Sequence, residues 1–405
     1  MTSPTQPAPT LLDAARDIMP DVLDVRRRLH RIPELGLQLP LTQALVVEAL
    51  RDLGLEPRLG RSVSSVVATI EGAAPGPTIL LRADMDGLPL TEESGLAFAS
   101  EHDGRMHACG HDTHVAMLLG AARLLIERRT RWPGRVLLMF QPGEEGFHGA
   151  RFMLEEGLLD ASGGERPSGA FALHISTMWR SGTIDVRPGP MLAASDTLRI
   201  TVRGRGGHAS APHNALDPIT VAAEIVLGLQ TMVGRRVDVF DPAVVTIAQI
   251  NGGTTTNIIP ETVFLGGTMR TTSEARRVAV RANVRQVAAG IAAAHGAEVD
   301  VEIEPGYPVT VNDPTFTRLV LDAARDVLGH DNVEEVAAPI MGAEDFSYVL
   351  QEVTGTFAFV GARPAAEDPA TAPLNHSNRV VFDEDALAVG IATHVAVALR
   401  HLSAG

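Results

Sequence analysis

Residues 106–114 read Met106-His107-Ala108-Cys109-Gly110-His111-Asp112-Thr113-His114, and a long apolar run, Val115 to Ile126, follows at once. The stretch holds the only cysteine of the chain, three histidines and an aspartate. A ligand-rich loop running straight into a buried helix is one way a fold pins side chains against a metal. Cys109 and His111 are one residue apart, so in an extended loop both can face the same ion. Thiolate sulfur and imidazole nitrogen both suit Zn²⁺ and similar divalent metals. A lone cysteine is more often a buried structural residue. The crowding of histidine around this one brings the two readings level.

Working outward, apolar strands alternate with helical runs. Thr78 to Arg82 reads as a strand, with Asp84 and Asp86 after it. Arg135 to Phe140 is another, followed by Gln141-Pro142-Gly143-Glu144-Glu145-Gly146. Gly169 to Leu173 is followed by His174, and Thr356 to Val360 by a loop carrying His376. Helical runs intervene at Val115 to Arg129, Ala150 to Leu159, Pro314 to Leu328 and Asp385 to Leu402. Ahead of them, Leu11 to Leu29 and Thr42 to Leu53 have helical spacing. Such alternation predicts an α/β fold, a mostly parallel sheet with helices on both faces. In such sheets a site lies beyond the carboxyl ends of the strands, where these acidic and histidine residues fall. That shared placement turns the balance towards a metal site.

The middle of the chain follows a different pattern. Thr197 to Arg203 alternates apolar and polar residues, as a half-buried strand does. Asp217-Pro218 signals the start of a helix running to about Val233. Val244 to Ile250 and Val263 to Met269 are strands, Ser273 to His295 is a helix closed by Gly296, and Glu298 to Ile303 is a last strand. This β-α-β-β-α-β order is that of a ferredoxin-like α+β unit. The predicted organisation is a catalytic domain at 11–188 and 305–405, an inserted module at 189–304 and a disordered tail at 1–10.

Glu144 and Glu145 are neighbours, so in extended backbone they point to opposite sides. One can then bind a metal while the other faces the water on it and moves its proton. Alone, a Glu-Glu pair is more often a solvated loop; its place after an apolar strand, between Gly143 and Gly146, favours chemistry. Asp86 either holds a ligand histidine in one tautomer or simply forms a turn at Met85-Asp86-Gly87. His174 follows a buried strand and reads as a ligand; His376 has no local support. In the middle module, Gly204-Arg205-Gly206-Gly207-His208 lets backbone approach a ligand closely but lacks the context of a phosphate loop. His208, Asn257 and Arg270 together suit an oxyanion and a carboxylate, although turn or surface roles explain each one singly.

Composition narrows the classes. The 405 residues suffice for two domains, and 45% apolar with 20% charged residues describes an ordinary globular protein. A net charge of −15 argues against nucleic acid or an anionic membrane as partner. One cysteine excludes an internal disulfide and fits a reducing compartment. Met1 to Thr10 has no basic start and no apolar core, so it is not read as a signal peptide. Val115 to Ile126 falls short of the roughly 20 residues needed to span a bilayer. A cytoplasmic location is expected.

Taken in order, the motifs resemble the M20 peptidases, in the amidohydrolase branch that includes hippurate and auxin-conjugate hydrolases. The likeness rests on Arg28-Leu29-His30 with Pro33-Glu34-Leu35-Gly36, Arg82-Ala83-Asp84-Met85-Asp86-Gly87-Leu88-Pro89, the Cys109 stretch, Gln141 to Gly146, Gly207-His208-Ala209-Ser210-Ala211-Pro212-His213, Asn257-Ile258-Ile259-Pro260, Met341-Gly342-Ala343-Glu344-Asp345-Phe346 and the late His376. The resemblance implies a dinuclear site with Cys109, His111, Glu145, His174 and His376 as ligands of two divalent ions (Mn²⁺, Zn²⁺, Co²⁺ or Ni²⁺). It implies Glu144 as general base and acid, and Asp86 as the residue orienting a ligand. The inserted module becomes a lid and dimerisation domain, giving a homodimer or tetramer. His208 then stabilises an oxyanion in the partner's site, and Asn257 and Arg270 touch substrate. The implied reaction is hydrolysis of an N-acyl amino acid; a small-peptide hydrolase and a non-catalytic binder of acyl amino acids are the rival readings. Phe147 and His148, a bulky pair beside the base, are expected to affect substrate choice.

Overall fold

The computed structural model describes residues 10–403. Of the expected disordered tail, residues 1–9 lie outside the described residues, whereas Thr10 is ordered and caps the first helix through a capping box with Asp13. The chain forms two compact units. One comprises the chain up to Gly189, Val311–Ala338 and the chain from Tyr348 onward; the other comprises Pro190–Thr310 with Pro339–Ser347.

The larger unit is built on an eight-stranded sheet. At its centre Arg135–Gln141, Thr78–Asp84, Gly169–Arg180 and Gly355–Arg363 run parallel in that spatial order. Every residue of Thr78–Asp84 is buried, so both faces of the sheet are covered, which explains the unbroken apolar run Ile79-Leu80-Leu81. The flanking strands are antiparallel or short: Arg58–Leu59 and Val66–Glu71 on one side, Ile184–Val186 and Val333–Glu335 on the other. None of these four was evident in the sequence pattern: three are two or three residues long, too short for periodicity to register, and six-residue Val66–Glu71 is buried at four of its six positions on both faces, so it shows no clean alternation.

Three boundaries differ from expectation in ways that matter. The first helical run is two helices, Leu11–Asp17 and Met19–Arg31, because Pro20 cannot donate the hydrogen bond needed to continue the first. The strand carrying His174 continues to Arg180, so His174 lies within a strand, opposite Phe359, rather than after one. Helix His111–Glu127 begins four residues before the expected Val115, which makes His111 its first residue.

Helix Ala386–Ser403 packs against His111–Glu127 and Pro314–Leu328 in the core. By length and composition it is apolar enough to cross a membrane, although charged and polar residues interrupt its apolar run. It is 78% buried inside the molecule, as a core helix is.

The second unit carries a four-stranded antiparallel sheet in the order Ala243–Gly252, Thr262–Thr271, Ala194–Arg203, Glu298–Pro305. Its helices, Pro218–Arg236 and Glu274–His295, share their own core with that sheet, including Leu198, Ile200, Ile225, Leu265 and Val284.

Candidate metal centre

The donors come from segments far apart in sequence, and each is held by local chemistry. Gly110 has φ +87, a left-handed conformation that turns the chain sharply between Cys109 and His111. A Cβ there would lie 2.4 Å from Ile175 Cγ2, so no other residue fits without displacement. Cys109 and His111 are therefore brought together by a bend at a helix start, not by an extended loop.

His174 places Nδ1 2.7 Å from the carbonyl oxygen of Ile175. That contact puts the proton on Nδ1 and leaves Nε2, 3.3 Å from Cys109 Sγ, with its lone pair available. His376 arrives by an unusual backbone, φ +70, with its N–H donating to Ala108 O at 2.9 Å. Its Nε2 stands 3.2 Å from Cys109 Sγ and 3.3 Å from Glu145 Oε1. The local support that the sequence did not show comes from Asn375, whose Nδ2 donates to Cys109 O at 3.1 Å and Ile175 O at 2.9 Å. Its Oδ1 accepts from Thr177 N at 3.3 Å. One amide thus ties together the segments bearing Cys109, His174 and His376.

Glu144 and Glu145 lie in a turn rather than in extended chain. Asp86 fixes that turn: its two carboxylate oxygens accept the Glu144 and Glu145 backbone N–H groups, each at 3.0 Å. Oδ1 of Asp86 also stands 3.4 Å from His111 Nδ1, so the residue faces both the ligand and the Glu-Glu turn. Asp84 faces the other side of His111, with Oδ2 3.4 Å from Nε2. Asp84 is paired with buried Arg82 at 2.6 Å and with His114 Nδ1 at 2.5 Å. His114 Nε2 in turn accepts from Ile175 N at 2.8 Å. Asp84, His114 and Asn375 were not singled out as site residues; the only signal was that Asp84 and His114 stand inside quoted motifs and Asn375 stands next to His376.

Donor atoms of Cys109, His111 and His174 lie within 4.8 Å of one another, as do those of Cys109, Glu145 and His376. A third such group is His111, Glu144 and Glu145. The overlap brings together all the expected ligands and the expected base. The electrostatics call for a cation. Burial, then Glu145, Glu144 and Asp84, push the Cys109 thiol well above its usual range. Burial opposes a charge on His111, yet Asp84, Asp86 and Glu145 hold its imidazole up at about 10. Burial and the neighbouring His114 keep His174 well below an ordinary imidazole. Both ring nitrogens of His111 and Oε1 of Glu145 are buried, and their charged neighbours stand 3.3 to 3.4 Å away without forming a well-aligned hydrogen bond. A thiol, carboxylates and imidazoles converging with atoms held so loosely fit divalent metal.

The remaining candidates lie in the second unit. His208 and Asn257 adjoin across a short ribbon in which Ala209 N donates to Asn257 O at 3.0 Å. They line an open depression of about 520 Å³ with Gly206, Gly207 and Ile258 to Glu261. Arg270 is not with them: it lies near the far end of strand Thr262–Thr271, and eight residues of extended chain from Thr262 span about 26 Å.

A centre of thiol, imidazole and carboxylate on a mostly parallel sheet, open only at His376 and with a second carboxylate beside it, defines the class as a metal-dependent hydrolase of α/β fold. The comparisons make this specific. Residues 80–400 match the model of peptidase family M20/M25/M40. Thermostable carboxypeptidase 1 of Saccharolobus solfataricus is 38% identical over 394 residues, covering 96% of this chain and 98% of its own. N-acetyl-L-cysteine deacetylase of Bacillus subtilis is 40% identical over 342 residues, covering 84% and 80%. A solved structure of a dinuclear metal binding peptidase of the M20 family from Bacillus subtilis superposes with a TM-score of 0.81 at 34% identity, covering 96% and 99%. The chain belongs to the M20 family, and it is an enzyme acting on amide bonds.

Proposed function

We propose that the chain hydrolyses N-acyl amino acids, acetyl or benzoyl among the acyl groups, to a carboxylate and a free amino acid. Cys109, His111, Glu145, His174 and His376 would hold two divalent ions, Mn²⁺, Zn²⁺, Co²⁺ or Ni²⁺. Metal bound there supplies polarisation of the amide carbonyl and a water acidic enough to attack near neutral pH. Glu144, held beside Glu145 by the Asp86 carboxylate, takes the proton of that water and returns it to the leaving amine. His208 donates to the oxygen that gains charge, reaching it from the partner subunit of a homodimer. Its Nδ1 accepts from Ser210 N at 3.1 Å, which puts the proton on Nε2, the form a donor needs. Asn257 and Arg270 would bind the substrate.

The observation that carries this reading is the Glu144–Glu145 turn, whose adjacent carboxylates meet one ligand histidine while a single aspartate fixes both backbones. The substrate class draws on the relatives. One relative is named a carboxypeptidase and another an N-acetyl-L-cysteine deacetylase, and both names point to an amide on an amino acid. The carboxypeptidase likeness also supports a second reading, a small-peptide hydrolase. Dimerisation through the second unit is supported by its two sheet edges. Glu298–Pro305 carries Glu298, Asp300, Glu302 and Glu304, which discourage edge pairing, whereas Ala243–Gly252 has no charged residue and is largely exposed. A cytoplasmic location suits the single thiol.

The test is a panel of N-acyl amino acids and dipeptides, assayed on stripped protein with each metal added back. The proposal expects turnover of acyl amino acids that returns with metal. Turnover of dipeptides alone favours the second reading, and no amide hydrolysis with any metal refutes both.

A further inference from the structure

The pair Phe147-His148 stands immediately after the Glu144–Glu145 turn, and the reaction as derived makes no use of it. Three facts about His148 stand out. Its backbone is left-handed, φ 59 and ψ 37, a conformation glycine adopts freely and a histidine adopts at a cost. It occupies the N-cap of helix Gly149–Glu155 yet makes no side-chain capping bond, so it does not do what Ser, Thr, Asp or Asn does at that position. Its imidazole instead bonds across the fold, Nδ1 to the Tyr348 hydroxyl at 2.9 Å, the partners standing 200 positions apart in sequence. Backbone preference and capping both disfavour histidine here, so its side chain accounts for its presence.

The bond falls where the loop needs a second anchor. Asp86 fixes the near side, at the Glu144 and Glu145 amides. The loop closes on itself through Gly149 N to Gly143 O at 3.0 Å and Gly146 N to Glu144 O at 2.7 Å. The far side then runs directly from Glu145 through Gly146 and Phe147 to His148.

We infer that His148 is a positioning residue: its imidazole, latched to Tyr348, holds the far side of the loop so that Glu144 and Glu145 keep their aim. The inference rests on the proposed roles of Glu145 as ligand and Glu144 as base.

The experiment compares wild type, H148G, H148N, Y348F and the double variant H148G/Y348F. Metal-free H148G melts at or above the wild-type temperature, because glycine relieves the left-handed backbone. Co²⁺ affinity, read by titrating the visible absorption, falls about tenfold in H148G and in Y348F, as for other residues that orient a ligand. With an N-acyl amino acid, kcat falls while KM stays near wild type. H148N, which tolerates the left-handed conformation and keeps a polar side chain, recovers part of the loss. The double variant is no worse than the worse single one, since both break the same contact. A lower melting temperature in H148G would make the histidine a folding residue and overturn the latch. So would wild-type Co²⁺ affinity in both single variants, or losses that add in the double. Should wild type hydrolyse no acyl amino acid, the proposed function fails, and the Co²⁺ affinities still decide the latch.

Discussion

Two polar regions of this molecule contrast sharply. Around Cys109, the side chains are buried or half-buried except for exposed His376, and partners hold them: Asn375 binds the carbonyls of Cys109 and Ile175, Asp86 binds two amides, and Asp84 faces His111 and His114. Around His208, the side chains are exposed, and their bonds include those of local turns, Ser210 to His208 and Thr255 to Asn257. The first region is pre-organised, so a metal would meet its ligands with little rearrangement. The second has donors without a fixed acceptor, which suits a group that acts only once substrate or a second subunit supplies one. Their removal should therefore differ in kind: losses in the buried region reach the metal, whereas losses in the exposed one reach turnover alone.

The largest effect separates base from ligand inside the buried region. E144A is expected to lower kcat by about 10³-fold or more, near the upper range of general-base contributions, with metal content by elemental analysis unchanged. Next comes the exposed region. H208A is expected to lower kcat about 10²-fold, the loss typical of one oxyanion donor, with Co²⁺ affinity and melting temperature as in wild type. If H208A strips metal, the contrast between the regions fails. N375A is expected to weaken metal binding about tenfold while leaving the protein folded, because the residue orients three ligand-bearing segments without itself being a ligand. Metal affinity measured by competition with a chelator decides this.

The smallest effect concerns the charge network behind the ligand helix. Asp112, next to His111, accepts from Arg26 Nε and His30 Nδ1, both at 2.9 Å, and His30 Nε2 meets Glu92 at 3.2 Å. Burial disfavours charge on His30, but Asp112, then Glu92, raise its imidazole to about 9 from 6.5. A group raised on folding adds stability that is complete below its unfolded value and lost as pH climbs through its folded one. Metal-free protein should therefore lose melting temperature from pH 6.5 towards 9, and H30Q should flatten that slope.

The alternation of strands and helices was legible in the sequence because local patterns carry it, whereas the proposed ligand set came from the order of the motifs, since His376 has no local support. What the sequence could not show was how the ligands are held. Asn375 bonds residues 266 and 200 positions away, and Asp86 bonds amides 58 and 59 positions away. Spacing within a motif contains no trace of such contacts. Local reading also misjudged backbone shape. It assumed an extended chain at Cys109 and at Glu144–Glu145, where Gly110 and the Asp86 carboxylate impose turns. His208, Asn257 and Arg270 were grouped by chemistry alone, and strand register separates the arginine from the other two within one chain.

In the proposed centre, thiolate, imidazole and carboxylate share two ions while Glu144 binds neither. Stripped protein titrated with Co²⁺ tests this directly, through the sulfur-to-cobalt charge-transfer band and the visible absorption. The expected result is saturation at two equivalents, with the charge-transfer band retained in E144A and lost in C109S. A band missing at every ratio, or abolished by E144A, would contradict the assignment.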